Sequence, residues 1–392
     1  MKNLDIEGII DALKSITTGH QVPVSLHEPT LRGNEWTYLK DCLDSTYVSY
    51  VGQYVDKFES MLAEFTGIKK AVAVVNGTAA LHIALELAGV EPGDEVFVPA
   101  LTFVATANAV AYCGAVPHFV DCEEKTLGLD PHKLKDYVKN IAQIEESGCT
   151  NKFSGRRIKA VIPMHAFGHP VDLDPLAEIC KEYKIEMIED AAESLGSYYK
   201  GKHTGNCGKL SVLSFNGNKT ITTGGGGAIM TNDEQLGKMA KHLTSTAKIP
   251  HRWEYRHDYI GYNYRLPNIN AAVGCAQMEQ LPEFLIRKRH LAERYCDIFK
   301  KIQGVRFFSE PSFASSNYWL NVLLLDEASY KNRDEVLEAT NNHGFKTRPA
   351  WDPLNTLSMY KDCPAMELSC AQNLVKRIIN IPSSSFLGDV NA

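Results

Sequence analysis

The sequence predicts an α/β protein with a large domain built on a mostly parallel β-sheet, followed by a smaller α+β domain. Its 392 residues exceed the roughly 250 to 300 at which single cores stop growing, so more than one domain is expected. Short apolar runs alternate with helical segments between residues 70 and 231, which is typical of parallel strands covered by helices on both faces. Beyond about residue 270 the pattern becomes mainly helical.

Seven apolar runs are predicted to be the strands of the large sheet. Each is rich in β-branched or other apolar residues and is bounded by a helical or turn segment. The runs cover 71–75, 95–99, 116–120, 159–164, 185–190, 211–215 and 227–231. In an open sheet of this kind ligands bind at the carboxyl ends of the strands. The residues that follow each run are therefore the candidates for a functional site.

The segments around this sheet give the predicted domain boundaries. Residues 1–22 are predicted as an N-terminal arm, 23–265 as the large domain and 266–392 as the small domain. The arm has apolar residues at helical spacing, which predicts a short amphipathic helix. In the small domain, 317–325 predicts a strand and 333–343 a helix, whereas the polar stretch 140–157 predicts a long surface loop.

Composition excludes several classes of function. With 41 Lys plus Arg against 47 Asp plus Glu, the net charge of -6 gives no general electrostatic basis for binding nucleic acid or anionic membranes. No apolar run approaches the ~20 residues of a membrane span, and the first residues lack the pattern of a signal peptide, so a cytoplasmic location is expected. The ten cysteines are scattered without metal-ligand spacing, which predicts reduced thiols and no metal site.

Three of the strand ends carry residues suited to binding a ligand. Gly77 and Thr78 begin a predicted helix whose N-terminus can hold a phosphate, although they can also be a tight turn and a helix cap. Asp190 ends a buried strand, where a carboxylate needs a cation or donor unless it caps a helix. Lys219 precedes the glycine run 224–227, which allows close approach of backbone and ligand.

A phosphate-binding helix N-terminus, a carboxylate and an isolated lysine are together the groups that bind pyridoxal 5'-phosphate. Its aldehyde bonds to a lysine, its pyridinium nitrogen pairs with an aspartate and its phosphate binds a helix N-terminus. Phe103 can stack on the ring, or be a core residue of the helix that follows. A nucleotide-binding P-loop is excluded because Asn218, not glycine, precedes Lys219.

These residues lie in motifs that resemble the DegT/DnrJ/StrS group of nucleotide-sugar aminotransferases, which are fold-type-I enzymes dependent on pyridoxal phosphate. The resemblance spans nearly the whole chain. It is carried, in order, by NGTAALHIAL at 76–85, PALTFVATANAV at 99–110, IEDAAESLGS at 188–197, SFNGNKTITTGGGGAI at 214–229 and GYNYRLPNINAAVG at 261–274.

The resemblance implies a role for each candidate residue. Lys219 corresponds to the lysine that bonds to the cofactor, and Asp190 to the partner of the pyridinium nitrogen; these two are the predicted catalytic residues. Asn263 matches a residue that reaches the phosphate in the neighbouring subunit, which implies a homodimer with shared active sites. The other cofactor-binding positions are Glu193 near the phenolic oxygen, Gly77, Thr78 and Ser214 at the phosphate, and Phe103 on the ring.

The implied reaction moves an amino group from L-glutamate to the keto carbon, C4, of a nucleotide-linked keto-deoxysugar in the synthesis of surface glycans. The sequence most resembles the legionaminic-acid type, which acts on UDP-linked 4-keto-6-deoxy-N-acetylhexosamines. The N-terminal arm and residues 245–257 lie where members of the family differ and are expected to shape the sugar and nucleotide pocket. Four further residues align with segments near the site, or belong to ordinary packing: Asn317, Tyr318, Arg348 and Trp351.

Two other functions fit the same scaffold. One is a dehydratase that removes a sugar hydroxyl; relatives with that chemistry replace the lysine or add an iron-sulfur cluster, whereas Lys219 is present and the cysteines are scattered. The other is a non-catalytic regulatory protein, since a fold does not fix a function. An intact Lys219, Asp190 and glycine run favour the enzyme.

Overall fold

The computed structural model describes residues 4–146 and 148–389. Its α-helices are α1 Ile6–Ile16, α2 Glu35–Asp44, α3 Gln53–Thr66, α4 Gly77–Leu87, α5 Val104–Tyr112, α6 Pro131–Ile141, α7 Leu173–Tyr183, α8 Glu234–Thr244, α9 Asn268–Phe299, α10 Arg333–Asn342 and α11 Ser369–Leu374. Its strands are β1 Lys70–Val74, β2 Glu95–Pro99, β3 Val116–Val120, β4 Ala142–Glu145, β5 Gly148–Asn151, β6 Ile158–Val161, β7 Glu186–Asp190, β8 Tyr198–Tyr199, β9 Lys202–His203, β10 Leu210–Ser214, β11 Gly227–Thr231, β12 Val305–Phe307, β13 Ala314–Ser315, β14 Asn321–Leu325, β15 Arg348–Pro349 and β16 Ile378–Ile381.

The central sheet has seven strands in the order β1-β11-β10-β7-β6-β2-β3. Strand β11 pairs antiparallel with both neighbours, and the other pairings are parallel. Each of the seven predicted runs supplies one of these strands, and the predicted α/β class with a mostly parallel sheet is confirmed.

Both faces of the sheet are buried, which explains why its strands are continuously apolar. Successive residues of β1 point to opposite faces. Val72 and Val74 join one hydrophobic cluster together with residues of α4 and α5, and Ala71 and Ala73 join a second one with residues of α3 and α9. Helices therefore cover the sheet from both sides and leave its strand ends as the place for a site.

The small domain is built on a four-stranded antiparallel sheet in the order β12-β14-β16-β15. Helix α1, within the predicted N-terminal arm, packs against α9 and α10. Its residues Ile9, Leu13 and Ile16 are buried in one cluster with this sheet. The segment is therefore anchored on the small domain, and the boundaries at residues 22 and 265 stay predictions.

The prediction of a surface loop over 140–157 is wrong, because β4 and β5 form an antiparallel hairpin there. The hairpin is held by a buried carboxylate that composition alone does not reveal. Glu95 in β2 accepts hydrogen bonds from the Asn151 amide at 2.8 Å and the Ser154 hydroxyl at 2.6 Å. The strand predicted over 317–325 begins at Asn321, and residues 317–320 form a loop instead.

Among the described residues, no helix combines the length and the apolar character that crossing a bilayer requires. All ten cysteines are free thiols. Within the same residues no three histidine, cysteine, aspartate or glutamate side chains are grouped so that they could hold a metal ion.

A buried lysine in α9 predicts a pH dependence of stability. Lys288 is 1% exposed, its amine donates to the carbonyls of Trp319 at 3.2 Å and Ser383 at 2.6 Å, and burial lowers its pKa to about 7. In the unfolded chain the ordinary pKa is ~10.4, so between pH 7 and 10 the unfolded state binds more protons. The free energy of unfolding should therefore rise with pH in this window, by roughly 1.4 kcal/mol for each unit of pKa difference.

The measurement is urea unfolding of the wild type and of Lys288→Met at pH 7 and pH 9.5. The variant lacks the titrating amine, so subtracting its pH dependence removes the contributions of all other groups. We expect the wild type to gain several kcal/mol relative to the variant at the higher pH. An equal pH dependence in both proteins would show that Lys288 keeps its ordinary pKa.

Candidate active site

A cavity of about 320 Å³ lies at the carboxyl ends of β1, β7 and β10. Seven of the eight predicted site residues line it, and Asn263 does not. The lining residues are Asn76, Gly77, Thr78, Leu81, Phe103, Ala105, Met164, Asp190, Ala192, Glu193, Ser214, Asn216, Asn218, Lys219, Gly225, Gly226, Trp319 and Trp351.

The N-terminus of α4 forms one wall of this cavity. Asn76 is the helix cap, since its side-chain oxygen accepts the Ala79 amide at 2.8 Å. Thr78 is therefore not the cap, and the amides of Gly77 and Thr78 have no acceptor among the described residues. Two free amides at the positive end of a helix dipole suit a phosphate.

Close packing brings Ser214 and the glycine run to this helix end. A Cβ on Gly77 would lie 3.1 Å from the Cβ of Ser214. A Cβ on Gly227 would lie 2.6 Å from the carbonyl of Asn76, so only glycine allows β11 to pass the start of α4. The hydroxyl of Ser214, at the end of β10, thus lines the cavity beside the two free amides.

Phe103 immediately precedes α5 and is 51% exposed. It is therefore not a core residue of the helix, which was the alternative left open by the sequence. Its aromatic ring lines the cavity and is available to stack on a planar ligand.

Asp190 places a buried carboxylate in the cavity. One oxygen accepts the Thr106 hydroxyl at 2.8 Å and the other accepts the Ala192 amide at 3.2 Å. Burial raises the pKa of Asp190, and these two hydrogen bonds and the charge of Lys219 partly oppose the shift. Because burying a carboxylate without a countercharge is costly, a cation held beside Asp190 would be stabilised.

Lys219 and Glu193 form an ion pair in the same cavity. The Lys219 amine lies 3.2 Å from one Glu193 oxygen, and the other oxygen accepts the Phe167 amide at 2.8 Å. Burial raises the pKa of Glu193 to about 7, against the opposing effects of Lys219 and of the Phe167 amide. A carboxyl that titrates near neutral pH can exchange protons with its neighbour.

A loop of the small domain, residues 317–320, closes the site from the other side. Asn317 donates its amide to the carbonyls of Glu193 and Leu195, both at 2.9 Å. The ring of Trp351 lines the cavity and stacks on Phe167 at 4.8 Å. Tyr318 is buried outside the cavity lining, and Arg348 is exposed and bonds to residues of its own domain.

Sequence reasoning missed the residues that hold the predicted ones in place. The mostly apolar run NYWLNVLLL predicts that Trp319 lies in a strand, yet its ring contacts the Lys219 amine. Asn76 carries a cap signal, since it precedes a helix-forming run, and Thr106 carries none. The side chain of Asn263 is exposed and has no hydrogen bond to the described residues.

The residues present fit pyridoxal phosphate. Two free helix amides and the Ser214 hydroxyl suit its phosphate, the Asp190 carboxylate suits its pyridinium nitrogen, and Lys219 offers an amine for its aldehyde. All these groups line a single cavity, with Phe103 beside them. Among the residues that the structure describes, Lys219 is the only lysine that lines it.

Comparisons with known proteins identify the family of this chain. A model of the DegT/DnrJ/EryC1/StrS aminotransferase family matches residues 29–391. The chain belongs to this family. It is 40% identical over 362 residues to a GDP-perosamine synthase of Escherichia coli O157:H7, with 92% of this chain and 93% of the relative covered.

Solved structures of similar enzymes have the same fold. PseC of Helicobacter pylori, an aminotransferase of pseudoaminic acid biosynthesis, has a TM-score of 0.83 at 25% identity and covers 92% of this chain and 93% of its own. Spr1654 of Streptococcus pneumoniae, in its PMP form, has a TM-score of 0.82 at 25% identity and 91% coverage of both chains. The family makes this chain an aminotransferase dependent on pyridoxal phosphate, as its motifs predicted.

Proposed function

We propose that the enzyme transfers the amino group of L-glutamate to the C4 keto carbon of a nucleotide-linked keto-deoxysugar, in the synthesis of amino sugars for surface glycans. The observation that carries this proposal is the convergence of Lys219, Asp190 and the start of α4 on one cavity. The 40% identity to a GDP-perosamine synthase supports a nucleotide-sugar substrate.

Each residue has one task in this proposal. When bound, the cofactor supplies a ring that accepts electrons from the α-carbon of the donor. Lys219 is the lysine that the cofactor bonds to and, once free, the base that moves a proton at that carbon. Asp190 holds the positive ring nitrogen, and Gly77, Thr78 and Ser214 bind the phosphate.

Glu193 is proposed to serve Lys219 and the cofactor's phenolic oxygen. Its pKa of about 7 lets it exist in both protonation states near neutral pH. At 3.2 Å from the amine it can accept a proton from Lys219 or return one. The bond from the Phe167 amide keeps the carboxyl pointed at this position.

The proposal also concerns which nucleotide the sugar substrate carries, UDP or GDP. The legionaminic-acid resemblance favours a UDP-linked 4-keto-6-deoxy-N-acetylhexosamine, whereas the Escherichia coli relative is named for a GDP-linked product. The test incubates the enzyme with glutamate and a panel of UDP-linked and GDP-linked 3-keto and 4-keto sugars, and identifies the products by mass and NMR. A 4-amino sugar is expected; formation of a 3-amino sugar would contradict the C4 assignment.

The same panel separates the two alternative functions. A dehydratase would give a sugar that lacks one hydroxyl and carries no new amino group. A regulatory protein would leave both the sugar and glutamate unchanged. Either result would overturn the proposed transamination.

A shared active site is proposed through Asn263, whose exposed side chain lies outside the cavity of its own subunit. An amide suits a phosphate oxygen, so Asn263→Ala should weaken cofactor retention by about 0.5 to 3 kcal/mol. Mixing this variant with Lys219→Ala gives heterodimers with one doubly defective site and one site that has both wild-type residues. Activity should reappear in the mixture at limiting cofactor.

Each variant alone is the control for this experiment, and mass spectrometry confirms that the subunits exchange. If heterodimers form and no activity returns, Asn263 serves its own subunit. The shared-site proposal is then wrong, whereas the assignment of Lys219 stands.

A further inference from the structure

The amine of Lys219 has a second neighbour besides Glu193, the indole ring of Trp319. The nitrogen lies 3.9 Å from the centroid of the ring, within the distance at which a cation is attracted to an aromatic face. The side chain of Lys219 is only 14% exposed, so this contact is largely shielded from water. The amine is thus held between a carboxylate and an aromatic ring.

The polar groups of Trp319 are all satisfied, which fixes the ring in place. Its indole N–H donates to the Asn218 carbonyl at 2.7 Å, directly before Lys219 in the chain. Its backbone N–H donates to the Asn317 side chain at 2.8 Å, and its carbonyl accepts the Lys288 amine at 3.2 Å. The residue is 4% exposed.

The packing behind Trp319 requires a glycine. Gly168 has a φ of +98°, and a Cβ there would lie 2.0 Å from the Asn317 side-chain oxygen that accepts the Trp319 amide. Asn317 also bonds to the carbonyl of Glu193. One asparagine therefore connects the two groups that hold the Lys219 amine, the carboxylate and the ring.

We propose that Trp319 is a positioning residue that holds the detached, protonated amine of Lys219, ready for its return to the cofactor. The inference rests on the proposed role of Lys219. In such an enzyme the amine leaves the cofactor in every turnover and must come back to it. A rigid ring next to Glu193 keeps the free ammonium close to its point of reattachment.

If Trp319 stabilises the detached amine, it should lower the affinity of the enzyme for pyridoxal phosphate and leave the affinity for pyridoxamine phosphate unchanged. An ammonium has no free electron pair, so Lys219 first gives one proton to Glu193, whose oxygen lies 3.2 Å away. The neutral amine then bonds to the aldehyde carbon of pyridoxal phosphate, a carbon-nitrogen double bond forms, and the two remaining protons leave with the aldehyde oxygen as water. In this proposal the nitrogen leaves the face of Trp319, where the detached amine lies, when it bonds to the cofactor. Pyridoxamine phosphate has no aldehyde, so Lys219 stays detached when it binds.

Removing the ring destabilises the detached amine only. In Trp319→Leu, the affinity of the apoenzyme for pyridoxal phosphate should increase roughly 2- to 30-fold, the range for a cation-π contact. The affinity for pyridoxamine phosphate should not change, because Lys219 is detached both before and after binding. Trp319→Phe keeps an aromatic face and should stay close to the wild type.

The experiment measures both dissociation constants by equilibrium dialysis for the wild type, Trp319→Leu and Trp319→Phe. Trp36→Leu is the matched control, because Trp36 is 84% exposed on α2, outside the cavity. In a Lys219→Ala background, Trp319→Leu should leave the ratio of the two affinities unchanged. If Trp319→Leu weakened the binding of both cofactor forms equally, Trp319 would only support the structure, and the proposal would be overturned.

A second measurement does not depend on folding of the leucine variant. Fluorine on tryptophan weakens the attraction of the ring for a cation and changes its shape very little. Incorporating fluorinated tryptophan into the wild type should therefore raise the affinity for pyridoxal phosphate and leave the affinity for pyridoxamine phosphate unchanged. The same incorporation into Trp319→Phe is the control and should have no effect. Borohydride mapping separates the two hypotheses: a label on another lysine contradicts the proposed function, whereas a label on Lys219 with unchanged affinities contradicts only the role of Trp319.

Discussion

Lys219→Ala is expected to abolish turnover while the protein still folds and binds pyridoxamine phosphate. The loss of proton transfer alone costs roughly 10²- to 10⁴-fold in rate, and the loss of covalent attachment adds to it. Pyridoxamine phosphate should still bind, because Gly77, Thr78 and Ser214, the residues proposed to hold its phosphate, are unchanged. The measurements are the rate of amine transfer from glutamate and the dissociation constant of pyridoxamine phosphate.

Lys209→Ala is the matched control. Lys209 directly precedes β10, but its amine forms an ion pair with Glu186 at 2.8 Å, outside the cavity. This variant should retain the turnover of the wild type. Borohydride reduction of the wild type followed by peptide mapping should label Lys219. A label on Lys209 or Lys248, or substantial turnover by Lys219→Ala, would contradict the assignment.

The strands of the large domain can be predicted from the sequence because each one is a short apolar run. The candidate site residues can be predicted because they directly follow such runs. Seven buried strands have seven apolar runs, and the residues at their ends follow from the topology of an open sheet. The hairpin at 142–151 was missed because a distant residue stabilises it. Its strands are mostly polar, and the buried Glu95 that anchors them lies about 50 residues earlier in the chain.

Only those site residues that follow the ends of predicted strands could be predicted from the sequence. Asp190, Lys219 and Gly77 do, and all three line the cavity. Trp319 comes from the small domain, and its apolar surroundings in the sequence are those of a strand. Thr106 is one residue of an alanine-rich helix, and only the fold brings it within 2.8 Å of Asp190.

Asp190→Asn is expected to leave the fold intact and to reduce turnover severely. The amide has nearly the same shape, and the Thr106 hydroxyl can reverse its role and accept a hydrogen bond from the new amide. What is lost is the negative charge that is proposed to hold the pyridinium proton. A charge-assisted hydrogen bond in a dry site is worth roughly 1.5 to 3 kcal/mol, or about 10- to 150-fold, and loss of the electron-accepting ring adds to this.

The measurements are the rate of the half-reaction with glutamate, the dissociation constant of pyridoxamine phosphate and the melting temperature. A matched comparison is Thr106→Val, which removes a hydrogen bond to Asp190 but keeps its carboxylate. Because that carboxylate can still hold the pyridinium proton, Thr106→Val should lose much less activity than Asp190→Asn. If the two variants lose activity equally, the geometry of Asp190 matters and its charge does not. If Asp190→Asn keeps turnover within a few-fold of the wild type, Asp190 is only a structural cap that accepts the Ala192 amide.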